Sequence, residues 1–349
     1  MQVRDVFING IGSYVPPTQA VHTAVDQGLL TADVVAELGF TSVAVAGDVP
    51  APEMALRAAR DALKDGGVSP GELALLLYVD VWQQGPIAWQ PQLYLQHHLV
   101  GDEALAIEVK HGCVGMLSAL ELAARFLRTE DGDKAALVVA SDNFGTPLMN
   151  RWTSGAGFTV LGDGASAAVL TKKPGLLQLL SFRTAAYSDM EERLRANEPL
   201  FPPGITLQHT VDFVESKETF NAKTSASDLG SISINHVQRI IECAKHALAE
   251  AGIEARDVRR VVTDNMPKTE AENYLGLMGF SLDQSAWDFG RGIGHCGAND
   301  QLLSLHHLLT TGQLSPGDHV MLCGLSPGVI YKSAVVKVLG TGAAEVSKA

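Results

Sequence analysis

The chain has 349 residues, of which 46% are hydrophobic and 19% charged, enough apolar material for a sizeable core and the wrong composition for a disordered chain. Its 26 basic and 39 acidic residues leave a net charge of −13. That balance argues against nucleic acid or an anionic membrane as the main partner, but leaves room for a local basic patch facing an acidic carrier protein.

Strand-like and helix-like segments alternate along the chain. The apolar patterns predict a strand over Val3–Ile8, a helix over Pro52–Lys64, and strands over Ala74–Val81 and Ala104–Val109. A helix over Val114–Leu127 and strands over Ala135–Ser141 and Ala165–Leu170 follow. The second part of the chain reads as a helix (His236–Ala251), a strand (Val258–Thr263), helices over Thr269–Met278 and Asn299–Thr310, and strands over His319–Gly324 and Val329–Val338. This alternation points to an α/β fold with parallel or mixed sheets. No apolar run approaches 18 residues, and no secretory pattern opens the chain. The four cysteines, Cys113, Cys243, Cys296 and Cys323, form no Cys-x-x-Cys pair, so no metal site is expected. A reduced, soluble, cytoplasmic protein is expected.

Cys113 is the residue that suggests chemistry. The alternating run Ala106–Lys110 stops at His111-Gly112, and a helical pattern begins at once. A thiol on such a turn faces the positive end of the next helix, which favours thiolate and nucleophilic attack on an acyl group. Taken locally, a buried structural cysteine fits as well.

An internal repeat gives this turn a counterpart. The helix end Ala62-Leu63-Lys64-Asp65-Gly66-Gly67-Val68 matches Ala247-Leu248-Ala249-Glu250-Ala251-Gly252-Ile253, 185 positions on. Gly132-Asp133 and Gly317-Asp318, each before a strand, keep the same offset. The offset carries Cys113 to Ala298, inside His295-Cys296-Gly297-Ala298-Asn299-Asp300. Two equivalent turns of a duplicated fold should meet, bringing polar groups of the second beside the thiol of the first.

Several segments resemble the thiolase superfamily, and within it the β-ketoacyl-acyl carrier protein synthase III group. They are Ile8–Pro16, Cys113-Val114-Gly115, the Gly-Asp-Gly-Ala segment in Leu161–Leu170, and Gly317-Asp318 followed by Gly324–Ala334. The resemblance implies a thiolase-like duplicated αβαβα layered fold. Its similar halves would be residues 1–172, with the nucleophile, and 173–349, with the His and Asp. It also implies a homodimer, an acyl-Cys113 intermediate, a donor thioester of acyl carrier protein or coenzyme A, and no cofactor. The family's histidine slot holds Asp264, in Val261–Pro267, and its asparagine slot holds His295, in Gly294-His295-Cys296. Synthase III-like acyltransferases of polyketide and glycoside natural-product pathways resemble this variant and move acyl groups onto oxygen.

The altered set suits that chemistry. An anionic Asp264 would repel the enolate that decarboxylative condensation needs. In a Cys-His-acid arrangement, Cys113 carries the acyl group, His295 acts as base, and a carboxylate orients His295. Asp300 and Asp264 compete for the orienting role; Asp300 shares a turn with His295, which favours it. The expected function is acyl transfer, of malonyl or another short acyl group, to a hydroxyl of a natural product. A synthase III-type condensing or priming enzyme and an inactive carrier-binding subunit are the alternatives. The resemblance places Pro327 at an oxyanion-donor position, yet proline has no N–H, so either Gly328 or Ser326 donates instead or the hole relies on the Cys113 amide and a side chain. Trp82, Trp89 and Trp152 read as packing or dimer residues, and His209 as a residue of the loop-rich stretch 197–210 that more often stands clear of substrate than touches it. His111 should point away from the thiol, and the Gly162-Asp163-Gly164 turn should use positive-φ glycines.

Overall fold

The computed structural model describes residues 1–155, 159–195, 198–202, 208–326 and 330–340. The strands are β1 (Phe7–Tyr14), β2 (Thr18–Ala20), β3 (Ser42–Ala44), β4 (Leu73–Val79), β5 (Leu105–Val109), β6 (Ala135–Asp142), β7 (Gly164–Thr171), β8 (Leu177–Ala186), β9 (Val258–Val262), β10 (His319–Ser326) and β11 (Ile330–Val338). β2 and β3 form a small ribbon; the others form one nine-stranded sheet in the order β5-β4-β6-β7-β1-β8-β11-β10-β9. β5, β4 and β6 run parallel, as do β10 and β9; the remaining pairings are antiparallel.

The two ends of this sheet enclose a pair of helices. Met116, Leu117 and Leu120 of the helix Gly115–Thr129 and Leu302, Leu305 and Leu309 of the helix Asp300–Thr310 share one apolar cluster. That cluster takes Leu75, Leu77 and Val138 from one end of the sheet and Val262, Leu322 and Val336 from the other. Strand side chains alternate faces, so Leu76, Tyr78 and Val139 point the other way, onto the helix Ala51–Gly66. Likewise Val261, Met321 and Val335 point outward onto the helix Ala226–Ala251. The layering is therefore helix, sheet, helix pair, sheet, helix, a thiolase-like α/β fold. The sheet runs unbroken through its middle because Phe7 and Ile8 of β1 pair with Gln178 and Leu177 of β8.

Elements recur at the 185-residue offset. Gly67 and Gly252 end their helices in the left-handed conformation, φ 60° and 73°, where a glycine costs nothing. The short 3₁₀ turns Pro70–Glu72 and Ala255–Asp257 precede β4 and β9. The 3₁₀ turns Gly112–Val114 and Gly297–Asn299 precede the central helices. The match breaks beside β9, where the counterpart of β5 is reduced to a single parallel bridge, Val261 to Ser285.

Most expected segments form where the patterns put them. The first strand runs Phe7–Tyr14 instead of Val3–Ile8, because its glycines permit contact with the helix Ala51–Gly66. A Cβ at Gly12 would stand 2.0 Å from the Ala58 carbonyl oxygen. β8 has no counterpart among the expected strands. The helix ending at Ala251 begins ten residues earlier than its apolar periodicity, at Ala226, where Ser225 caps it by accepting from the Asp228 N–H at 3.1 Å. Its first turns carry no buried residue, so they leave no apolar pattern.

Candidate active site

Gly112, with φ of 57°, turns the chain from the end of β5 into the 3₁₀ turn that carries Cys113. The thiol opens into a cavity of about 770 Å³. His295 enters from the second turn, with its Nε2 3.1 Å from the Cys113 Sγ. Its other ring nitrogen, Nδ1, meets Asp300 Oδ2 at 2.5 Å. Of the two acids, Asp300 is on the imidazole and Asp264 is not. Asp264 lines the same cavity, but its oxygens accept from Gln301 Nε2 at 2.5 Å and the Leu325 N–H at 2.7 Å.

Asp300 is held by more than its histidine. It accepts from the Cys296 N–H at 2.8 Å, the Asn265 N–H at 2.7 Å and Asn265 Nδ2 at 3.0 Å. Four donors hold this buried carboxylate in one position. The position of His295 has a separate origin. Its N–H donates to the Val160 carbonyl at 2.8 Å, and its own carbonyl accepts from the Gly162 N–H at 2.9 Å. The Gly-Asp-Gly-Ala segment thus braces the histidine.

That segment works differently from its expected role. Neither Gly162 nor Gly164 has a positive φ. Gly162 is required by proximity, since a Cβ there would stand 2.1 Å from the Ile293 carbonyl oxygen. Asp163, between them, pairs with Arg151 at 3.0 Å and accepts from the Ala46 and Phe144 amides.

The electrostatics also correct an expectation. Burial pushes the Cys113 thiol up, outweighing the pull of the nearby His295, so the helix end does not by itself make a thiolate. Burial works against the His295 imidazolium, but the charges of Asp300 and Cys113 more than compensate and raise its pKa well above the usual histidine range. This pair can form a thiolate by proton transfer from Cys113 to His295. Asp264 is pushed up to about 7 by burial, against the pull of His295. It carries a proton through the acidic range and loses it near neutrality.

Other expected residues fall on both sides of the cavity boundary. Trp82, read as packing, lines the cavity; Trp152 is buried in a separate cluster and Trp89 stands edge-on to Tyr94. His209 does not line it and pairs with Glu198 at 2.8 Å. His111 turns to Ser118 Oγ at 2.7 Å. Pro327 and Gly328 lie outside the described residues. Asn265 and Gln301 escape sequence reasoning, which names Ser326 without assigning its hydroxyl. The first two adjoin Asp264 and Asp300 in sequence, which is the signal available. All four cysteines are free thiols, and among the described residues no helix is long and apolar enough to cross a membrane.

Comparison with known proteins places this site in a family. The model for 3-oxoacyl-[acyl-carrier-protein (ACP)] synthase III matches residues 107–188, and the model for its C-terminal part matches residues 248–338. A solved structure of ChlB3, described as an acyltransferase, superposes with a TM-score of 0.91 at 45% identity, covering 97% of this chain and 98% of that one. The chain belongs to the ACP synthase III family. Curated synthase III relatives include that of Clostridium tetani, 22% identical over 97% of this chain and 99% of its own length. The synthase III structure from Aquifex aeolicus shares the fold, with a TM-score of 0.76 at 19% identity over 95% and 99% of the two chains. Enzymes of the ACP synthase III family transfer or condense acyl groups, act on acyl thioesters of carrier protein or coenzyme A, and need no cofactor.

Proposed function

We propose that this chain is an O-acyltransferase that carries an acyl group on Cys113 and delivers it to a hydroxyl of a natural product, forming an ester. The observation that carries the reading is the relay Cys113 Sγ, His295 Nε2 at 3.1 Å, His295 Nδ1, Asp300 Oδ2 at 2.5 Å. The described acyltransferase at 45% identity supports it.

The relay accounts for both halves of the reaction. His295 takes the thiol proton, and Cys113 attacks the donor thioester, of carrier protein or coenzyme A. The departing thiolate takes that proton from His295 and leaves as the free thiol. His295, now neutral, removes the acceptor hydroxyl's proton as its oxygen attacks the acyl-Cys113 carbonyl, and the thiol is regenerated. Asp300 holds the proton-bearing Nδ1 and offsets the charge that appears on the ring. Condensation would need donors aimed at an enolate oxygen. His295 has one ring nitrogen committed to Asp300, and Asp264 brings negative charge above about pH 7. In this reading the halves 1–172 and 173–349 supply the nucleophile and the His/Asp pair, two copies form a homodimer, and the product belongs to polyketide or antibiotic biosynthesis.

The test loads the protein with acetyl- and malonyl-thioesters, adds hydroxyl-bearing acceptors, and follows intact mass and products. An acyl adduct on Cys113 that disappears with ester formation is expected. Carbon dioxide and a ketone without ester would overturn the reading in favour of condensation. Absence of any adduct would point to a carrier-binding subunit.

A further inference from the structure

We propose that the Ser326 hydroxyl is the second oxyanion donor of this site, acting beside the Cys113 backbone amide on the carbonyl oxygen of the bound thioester. The inference rests on the acyl-Cys113 reading and assigns a residue that reading leaves open.

Ser326 ends β10 and is 7% exposed. It lines the cavity together with Gly112, Cys113, Asp264 and His295. Its hydroxyl lies over Gly112, the residue that leads directly into the Cys113 amide: a Cβ built at position 112 would stand 1.9 Å from Ser326 Oγ. The hydroxyl occupies the space that any other residue at 112 would fill. Among the described residues, Ser326 Oγ has no hydrogen-bond partner. The hydroxyl lines the cavity with its proton uncommitted, so a carbonyl oxygen arriving there can accept from it.

Among the described residues, the neighbouring donors are committed, and Pro327 has none to offer. The Leu325 amide, one residue earlier, donates to Asp264 Oδ2 at 2.7 Å. Residue 327, one later, is a proline and has no N–H to offer. Gln301 Nε2 is also committed to Asp264, at 2.5 Å. Among the described residues, Ser326 Oγ is the donor left on this wall whose proton can turn toward a substrate.

In the step assigned to it, Cys113 Sγ forms a bond to the thioester carbonyl carbon, and the π pair moves onto oxygen. There the Cys113 N–H and the Ser326 O–H hold it. Collapse re-forms the carbonyl, breaks the donor carbon–sulfur bond, and the leaving thiolate takes the proton from His295 Nε2.

The experiment compares wild type with Ser326→Ala, Ser326→Thr and Ser326→Val by stopped-flow intact-mass kinetics. The probe is whichever of a panel of acyl-coenzyme A thioesters loads the wild type fastest. Removing one oxyanion donor costs about 10²-fold in rate. The expected result is a loss of that order in Cys113 acylation for the Ala and Val variants, with much of it recovered by Thr. Alkylation of Cys113 by iodoacetamide passes through no oxyanion, so its rate and pH profile should be unchanged in all three. Wild-type acylation by the Ala variant would overturn the inference. So would a parallel fall in alkylation, because Ser326 would then act through the thiol. Ester formation plays no part in this readout, so an enzyme that acylates but makes no ester refutes the proposed acceptor and leaves the Ser326 assignment standing. A wild type that takes up no acyl group refutes both.

Discussion

Asp264 is where burial and charge conflict most directly. An unfolded carboxyl loses its proton near pH 4, whereas burial holds that of Asp264 to about 7. Between those values the folded chain binds the extra proton, so this residue's contribution to stability falls as pH rises and levels off above about 7. Asp264→Asn removes that slope. We predict that the variant's stability relative to wild type, from urea unfolding, increases between pH 5 and pH 8 by a few kcal/mol, because each tenfold difference in proton affinity is worth roughly 1.4 kcal/mol. An unchanged difference at the two pH values would mean that Asp264 is ionised throughout. Cys113, His295 and Asp300 are legible in the sequence because the repeat places one turn against the other. The roles of Asp264 and Asp300 are not separable there. The decision lies in which carboxylate collects the Asn265 and Cys296 amides, and those reach Asp300 only in the folded chain.

Among the elements, the turns and close contacts do more for the site than the strands. His295 is fixed by backbone hydrogen bonds to the segment 160–162, and Gly162 permits that approach by having no side chain. We predict that Gly162→Ala pushes the segment 293–295 away, destabilising the fold by about 1–3 kcal/mol. Acyl transfer should fall further than stability alone accounts for, measured as the acylation rate at a temperature where the variant remains folded. Full activity in a folded variant would show that this brace is dispensable. The sequence patterns locate most elements because apolar periodicity survives in them. β8 escapes them since its alternation is weak past Phe182, where Arg183 and Thr184 occur, and because it pairs across the middle of the sheet. The glycines of β1 read as a turn. Their strand character comes from a helix packed against them, which no local pattern encodes.

At the scale of the whole molecule, β5 is an edge strand with Leu105 52% exposed and Ile107 42% exposed. An unprotected apolar edge invites pairing with another chain. We predict that two copies join there, extending the sheet across the homodimer, and that Leu105→Lys with Ile107→Lys shifts the protein to monomer by light scattering. A dimer unaffected by both changes would place the interface elsewhere. The sequence by itself determined the α/β class, the repeat, and the pairing of the Cys113 turn with the turn of His295, because each leaves a local or periodic trace in the order of residues. Only the tertiary structure decided which acid meets the histidine, that burial opposes the thiolate, and that a serine hydroxyl is left open above Gly112. Those outcomes depend on desolvation and on distances between segments far apart in the chain, and neither is written in the spacing of residues along it.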